Sequence, residues 1–172
     1  SAKAVATGYS KPAIQQYAAE FAEQLEFEPG DSLEELIKAL GGTIKYQGVE
    51  DWDRNEHGSI VVDPEQSSFT VWLADFTGPL RDRFTLAHEL GHYILHSKLG
   101  KVSLMRHRHG LDKHDRMERE ADWFAAAFLM PGPAFRKAMQ EDSSVRALAA
   151  QFHVSRATAQ WRLDEINNGT GT

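Results

Sequence analysis

The sequence predicts an α+β fold in which a small antiparallel three-stranded sheet packs with helices and a C-terminal helical pair follows. Two patterns support this class: apolar residues recur every three or four positions near both ends of the chain, and three short β-type runs lie between them. With 172 residues, the chain has the length of one domain with a small appendage. We therefore expect a main domain over residues 1–140 and a helix-turn-helix-like appendage over residues 141–172.

The helical pattern occurs in four segments before the C-terminal pair. The first covers residues 12–25, and the second begins with a capping box formed by Ser32 and Glu35. A long helix is predicted over residues 79–96, because Pro79 suits a first helical turn and apolar residues follow at helical spacing. The fourth helix is predicted over residues 115–130, where the sequence PGP ends it.

Three short runs have the composition and the length of strands. They are TIKYQ, SIVVD and FTVWL, over residues 43–47, 59–63 and 69–73, and turn-rich stretches separate them. The third run is either an ordinary core strand or an edge strand, and as an edge strand it would bind an extended peptide through main-chain hydrogen bonds. Residues 97–114 are polar and rich in His and Arg, so we expect a long loop there.

Composition excludes several classes of protein. The chain has no cysteine, so a disulfide framework and a cysteine zinc site are both excluded. No apolar stretch has the length that spans a bilayer, and no signal-like segment stands near the start, so we expect a cytoplasmic protein without a membrane partner. The net charge of -6 argues against a protein that mainly neutralises phosphates.

The motif HELGH over residues 88–92 carries the main chemical signal. On a helix, His88 and His92 project from one face one turn apart, so their imidazoles can converge on one metal ion. His96 stands one turn further on, roughly 12 Å along the helix axis from His88. We therefore expect His96 to pack or to support a ligand rather than to share the ion.

A third protein ligand is needed, because catalytic zinc usually takes three and leaves one position for water. Two acids of the next helix compete for this role, Glu118 and Glu120. Glu118 lies near the direction of the apolar stripe that begins at Ala121, whereas Glu120 is rotated toward the solvated side. Helical geometry favours Glu118 and leaves Glu120 as the alternative. Asp122 is placed to accept a hydrogen bond from a ligand imidazole.

Glu89 is the candidate catalytic base, since it stands beside the first predicted ligand. A carboxylate there can take a proton from a water activated by the metal and later deliver it to the leaving amine. The motif indicates Zn²⁺, although His and carboxylate ligands also accept Mn²⁺ and other divalent ions. The sequence thus predicts a zinc-dependent peptide hydrolase.

The stretches RDRFTLAHELGHYILH and EREADWFAAAFLMP resemble the ImmA/IrrE family of metallo-endopeptidases. The resemblance covers residues from about Arg81 to Pro131, and it implies a zincin-like fold with one zinc ion per chain. It also implies Glu118 as the third ligand, because the acid of the family pattern stands three residues before an alanine, here Ala121. Members of the family often cut a helix-turn-helix repressor encoded nearby, so the resemblance implies such a protein substrate.

Two other functions stay open at this point. One is a non-proteolytic regulatory module that binds protein or DNA and holds a structural metal, and the other is membership of a toxin-antitoxin pair. The tail LAAQFHVSRATAQWRL resembles a helix-turn-helix, with Ser155 as the cap of its second helix and Arg156 and Arg162 partly exposed. Residues 141–172 carry three Arg against four acids, so we expect packing or protein docking rather than direct DNA binding.

Overall fold

The computed structural model describes residues 3–48, 58–107 and 115–172. The chain forms two compact units, one made of Ser1–Gly8 with Ser32–Asp122 and the other of Tyr9–Asp31 with Trp123–Thr172. The assignment of a catalytic domain to residues 1–140 and of an appendage to residues 141–172 concerns function and stays a prediction.

The first unit contains a four-stranded mixed sheet. Its strands are β1 (Gly42–Gln47), β2 (Gly58–Asp63), β3 (Ser68–Ala74) and β4 (Leu104–His107), in the spatial order β1-β3-β2-β4. Strand β1 runs parallel to β3, and β2 runs antiparallel to both β3 and β4. The α+β class is confirmed, but the predicted antiparallel three-stranded sheet is wrong in strand number and in the direction of one pairing.

Both differences have physical causes. Residues 48–67 separate β1 from β3, which is long enough for the crossover that a parallel pair requires, and β2 lies within that connection. Strand β4 lies in the segment predicted as a loop, and among the described residues it pairs with β2 at the edge of the sheet. Strand β3 lies inside the sheet, so FTVWL over residues 69–73 is not an edge available to a peptide.

The first unit also contains helices. They are α2 (Leu33–Ala39), α3 (Pro79–Gly91) and the beginning of α4 (Arg116–Leu129), and α3 continues as a π-helical turn, His92–His96. The predicted cap of α2 is confirmed, since the Ser32 hydroxyl accepts a hydrogen bond of 3.2 Å from the Glu35 amide. Helix α2 contacts β1, whereas helix α3 contacts β2 and β3 and buries the core residues Leu86, Ala87 and Leu90.

Helices alone make up the second unit. They are α1 (Lys11–Gln24), the remainder of α4, α5 (Gly132–Glu141), α6 (Val145–Phe152) and α7 (Arg156–Asn167). Its core is aromatic: Phe27 stacks on Phe128 with ring centroids 4.9 Å apart, and Phe135 packs on Phe152 at 5.3 Å. None of the helices in the described part of the chain combines the length and the apolar character needed to cross a bilayer.

Helices α6 and α7 form the predicted helical pair. His153 adopts the left-handed conformation between them, with φ 54° and ψ 49°, and the Ser155 hydroxyl caps α7 by accepting from the Thr158 amide at 3.1 Å. Arg162, expected to be partly exposed, is 0% exposed and donates to the Met130 carbonyl at 3.1 Å. It therefore holds the helices of this unit together and offers no charge to a nucleic acid.

Candidate metal centre

The structure brings together the three side chains predicted as metal ligands. His88 comes from α3, His92 from the π-helical turn that continues it, and Glu118 from the first turn of α4, and all three are buried. One nitrogen or oxygen atom of each lies within 4.8 Å of the others, a spacing that one ion can bridge. The assignment of these residues as ligands stays a prediction about chemistry that their geometry suits.

Both imidazoles turn the same nitrogen toward the carboxylate. His88 Nε2 lies 2.9 Å from Glu118 Oε2, and His92 Nε2 lies 3.0 Å from Glu118 Oε1. The two rings meet edge to face, with centroids 4.8 Å apart and an interplanar angle of 83°. Two imidazole nitrogens and one carboxylate oxygen are the donor set that catalytic zinc takes in His₂Glu sites, so the residues fit a divalent cation.

A hydrogen bond on the far side of His88 orients its ring. His88 Nδ1 lies 2.7 Å from Asp122 Oδ1, which confirms the predicted contact between this acid and a candidate ligand. With a metal on Nε2, His88 would carry its hydrogen on Nδ1, where the Asp122 carboxylate accepts it. Nε2, which is hydrogen-bonded to Glu118 here, is the atom that would coordinate the ion.

Burial and hydrogen bonding set the charges of the cluster. Burial lowers the pKa of His92 to about 3, against the opposing effect of its hydrogen bond to Glu118. Burial by itself would raise the pKa of Glu118, but the hydrogen bonds from His88 and His92 outweigh it, so this pKa is well below its usual range. A neutral His92 beside an ionised Glu118 has the protonation state that a cation requires.

Glu89 lies on α3 directly after His88 and is 1% exposed. Its Oε1 atom stands only 3.4 Å from the position that a Cβ atom on Gly58 would occupy, so it packs against the start of β2. A Cβ atom there would also stand 2.4 Å from Thr85 Cγ2, which is too close. Glycine at position 58 thus allows α3 to lie tightly on the strand, and the helix holds Glu89 beside the cluster.

Sequence reasoning missed the surroundings of Glu120. This residue is 0% exposed instead of solvated, and it accepts hydrogen bonds from the Thr7 and Gly8 amides at 2.8 and 2.9 Å. It also accepts from Arg116 Nε at 3.0 Å and contacts His96 Nε2 at 2.9 Å. The Glu120 carboxylate therefore contacts His96 and the N-terminal segment, whereas the Glu118 carboxylate contacts His88 and His92. The sequence signal for this burial was the spacing of Arg116 and Glu120 by one helical turn.

Arg106 on β4 is a second residue that sequence reasoning did not place at the site. Its Nε donates to Glu118 Oε1 at 2.9 Å, and its guanidinium also pairs with Asp115. The finding depends on β4, which the sequence did not predict, so no local pattern could have identified it. His109 and His114, which belong to the His- and Arg-rich segment predicted as a loop, lie outside the described residues.

The chain is similar to known metallopeptidases. The model of the peptidase M78 family, described as the IrrE N-terminal-like domain, matches residues 52–164, well over half of the chain. The radiation response metalloprotease IrrE of Deinococcus radiodurans is 32% identical over 111 residues, which are 60% of this chain and 32% of that protein. The metallopeptidase ImmA of Bacillus subtilis is 28% identical over 88 residues, 50% of this chain and 51% of that protein.

The chain thus belongs to the ImmA/IrrE family of metallopeptidase-like proteins. Its matched region spans about a third of the length of the first of these relatives and about half of the second. A solved structure of a Mycobacterium tuberculosis transcriptional regulator has the same fold over 86% of this chain and 45% of its own, with a TM-score of 0.57 and 20% identity. That last likeness concerns the fold alone.

Proposed function

We propose that the chain is the catalytic part of a zinc-dependent endopeptidase whose substrate is a helix-turn-helix transcriptional repressor. The observation that carries the proposal is the buried cluster in which His88 and His92 direct Nε2 at the Glu118 carboxylate. Family membership supports a metallopeptidase. The repressor rests on the family resemblance, and cleavage would relieve repression.

His88, His92 and Glu118 would hold the metal ion. When bound, zinc supplies positive charge that polarises a peptide carbonyl and makes a water molecule more acidic. Asp122 keeps the His88 ring in the orientation that presents Nε2, through the contact of 2.7 Å at Nδ1. Arg106 Nε donates to Glu118 Oε1 at 2.9 Å, which restricts rotation of this carboxylate.

Glu89 is the proposed general base. Its carboxylate accepts a proton from the attacking water while the new bond between oxygen and the carbonyl carbon forms. The same proton then passes to the amide nitrogen as the carbon–nitrogen bond breaks, so that a carboxylic acid and an amine leave the site. The tight packing of α3 on Gly58 restricts the freedom of Glu89 and keeps the base in place for both transfers.

The test is incubation of the zinc-loaded protein with the helix-turn-helix repressor encoded beside it, followed by mass measurement of the fragments. We expect the wild type to cut one peptide bond and Glu89→Gln to cut none while binding one zinc ion per chain. The reason is that the amide of glutamine keeps the size of the side chain but cannot accept the proton.

Glu141→Gln is the matched control, because Glu141 is an exposed carboxylate at the end of α5. It should cut the repressor at the wild-type rate. Turnover by Glu89→Gln at a similar rate would contradict the proposed base. Failure of the wild type to bind zinc would contradict the proposed function as a whole.

A further inference from the structure

A line of buried polar groups leads from His92 to the N-terminal segment. His92 Nδ1 lies 2.8 Å from His96 Nδ1, and His96 Nε2 lies 2.9 Å from Glu120 Oε1. The Thr7 and Gly8 amides then donate to the two oxygens of Glu120. We refer to Glu120 and His96 together as the Glu120–His96 relay. His92, His96 and Glu120 are each at most 1% exposed, so water does not satisfy their polar atoms.

The chemistry of each group determines the direction of every hydrogen bond. Glu120 only accepts, so His96 Nε2 carries a hydrogen and His96 Nδ1, in a neutral ring, has a lone pair. With a metal on its Nε2, His92 carries its hydrogen on Nδ1 and donates it to His96 Nδ1.

Glu120 is surrounded by four hydrogen-bond donors. Oε1 accepts from Thr7 and His96, and Oε2 accepts from Gly8 and from Arg116 Nε at 3.0 Å. A buried charge with this many partners has a specific orientation.

The local backbone helps to bring the two rings together. The α-helix ends at Gly91, and the next turn is π-helical, closed by a hydrogen bond of 2.9 Å from the Ser97 amide to the His92 carbonyl. π-Helical turns are rare in proteins, and many of those that exist lie at functional sites. His92 and His96 lie on this turn with ring centroids 5.0 Å apart.

We propose that Glu120 and His96 are positioning residues of the metal centre, and that the amides of Thr7 and Gly8 complete it. The inference rests on the proposed function, since it assumes a metal on His92 Nε2. The relay fixes the tautomer and the ring orientation of His92, as Asp122 does for His88. The N-terminal segment thereby contributes to the affinity of a site about eighty residues further along the chain.

The tautomers of the wild type provide a test that needs no variant. In the zinc-loaded protein, ¹⁵N-labelled imidazoles should show a hydrogen on Nδ1 of His92 and on Nε2 of His96. A hydrogen on Nδ1 of His96, or rapid exchange between its two tautomers, would contradict the relay. The experiment detects ring nitrogens and does not depend on peptidase activity.

The affinity test compares the wild type with Glu120→Gln by competition for zinc with a chromogenic chelator. Glutamine replaces one oxygen by an NH₂ group, so two of the four donors lose their acceptor. We expect zinc affinity to fall about 10- to 100-fold, the usual loss when an outer hydrogen-bond partner of a ligand is removed. Cobalt absorption spectra should change in parallel, because the ligand geometry is altered.

Thr7→Pro keeps Glu120 intact and removes the amide hydrogen together with the threonine side chain, so it tests the relay if Glu120→Gln does not fold. We expect weaker zinc binding than in Thr7→Ala, the matched control that keeps the amide. Affinities equal to the wild type in both Glu120→Gln and Thr7→Pro would overturn the inference, even where the metal-free proteins are less stable. A wild type that binds no zinc would reject the proposed function itself.

Discussion

At the scale of single residues, the hydrogen bonds of buried polar side chains fix the positions of their neighbours. The sequence predicted that Asp122 accepts a hydrogen bond from a ligand imidazole, and its contact with His88 Nδ1 confirms this. Arg162 in the second unit is the opposite case, because its helical position gave no sign of burial. It is 0% exposed and donates to the Thr172 carbonyl at 2.6 Å and to Gln15 Oε1 at 3.3 Å.

Arg162→Met should therefore destabilise the protein strongly. Methionine keeps much of the volume but leaves the Met130 carbonyl and Glu165 with fewer donors, and breaking a buried charge pair costs about 3–5 kcal/mol. Urea unfolding would measure the free energy of unfolding. Arg156→Met is the control, because Arg156 is exposed and its loss should change stability by less than about 0.5 kcal/mol. Equal effects of the two substitutions would contradict the role assigned to Arg162.

At the scale of elements, the periodicity of the sequence predicted the helices, which depend on neighbouring residues. It missed strand pairing and burial, which depend on residues far apart in the chain. The helices carrying HELGH and Glu118 follow from apolar spacing and from the prolines that begin the first and end the second, and with them the candidate ligands were found. The pairing of β1 with β3 was missed because a short strand does not specify the direction of its partner. Burial of Glu120 was missed because its donors Thr7 and Gly8 lie more than a hundred positions away.

Gly58→Ala tests the packing of one element on another. Its Cβ atom would stand 2.4 Å from Thr85 Cγ2, so α3 must shift away from β2, and overpacking of this kind costs about 1–3 kcal/mol. Peptidase activity should also fall, since Glu89 Oε1 lies 3.4 Å from the same position. Thermal unfolding and the cleavage rate measure the two effects.

Gly48→Ala is the control for this substitution, because a Cβ atom there would meet Asp75 Oδ2 at an ordinary distance of 3.6 Å. It should leave the free energy of unfolding within about 0.5 kcal/mol of the wild type. If Gly58→Ala is as stable and as active as Gly48→Ala, the close approach of α3 to β2 does not constrain the site.

At the scale of the whole molecule, the candidate ligands and their supporting groups belong to one unit. His88, His92, Glu118 and the N-terminal Thr7 and Gly8 all fall within Ser1–Gly8 and Ser32–Asp122. A metal ion bound there links α3 to α4 across thirty positions of the chain. Such a link must stabilise the folded state, because a ligand that binds only the folded state shifts the unfolding equilibrium toward it.

Zinc should accordingly raise the unfolding temperature of the wild type. At a free concentration of one hundred times Kd, binding contributes about 2.7 kcal/mol, which for a chain of this size corresponds to a rise of about 5–11 °C. Differential scanning calorimetry with and without a chelator measures the shift, and where two transitions occur, the one belonging to the unit with the ligands should move. His88→Ala removes one candidate ligand and should show almost no shift. An equal rise in His88→Ala would mean that zinc stabilises the protein from another site.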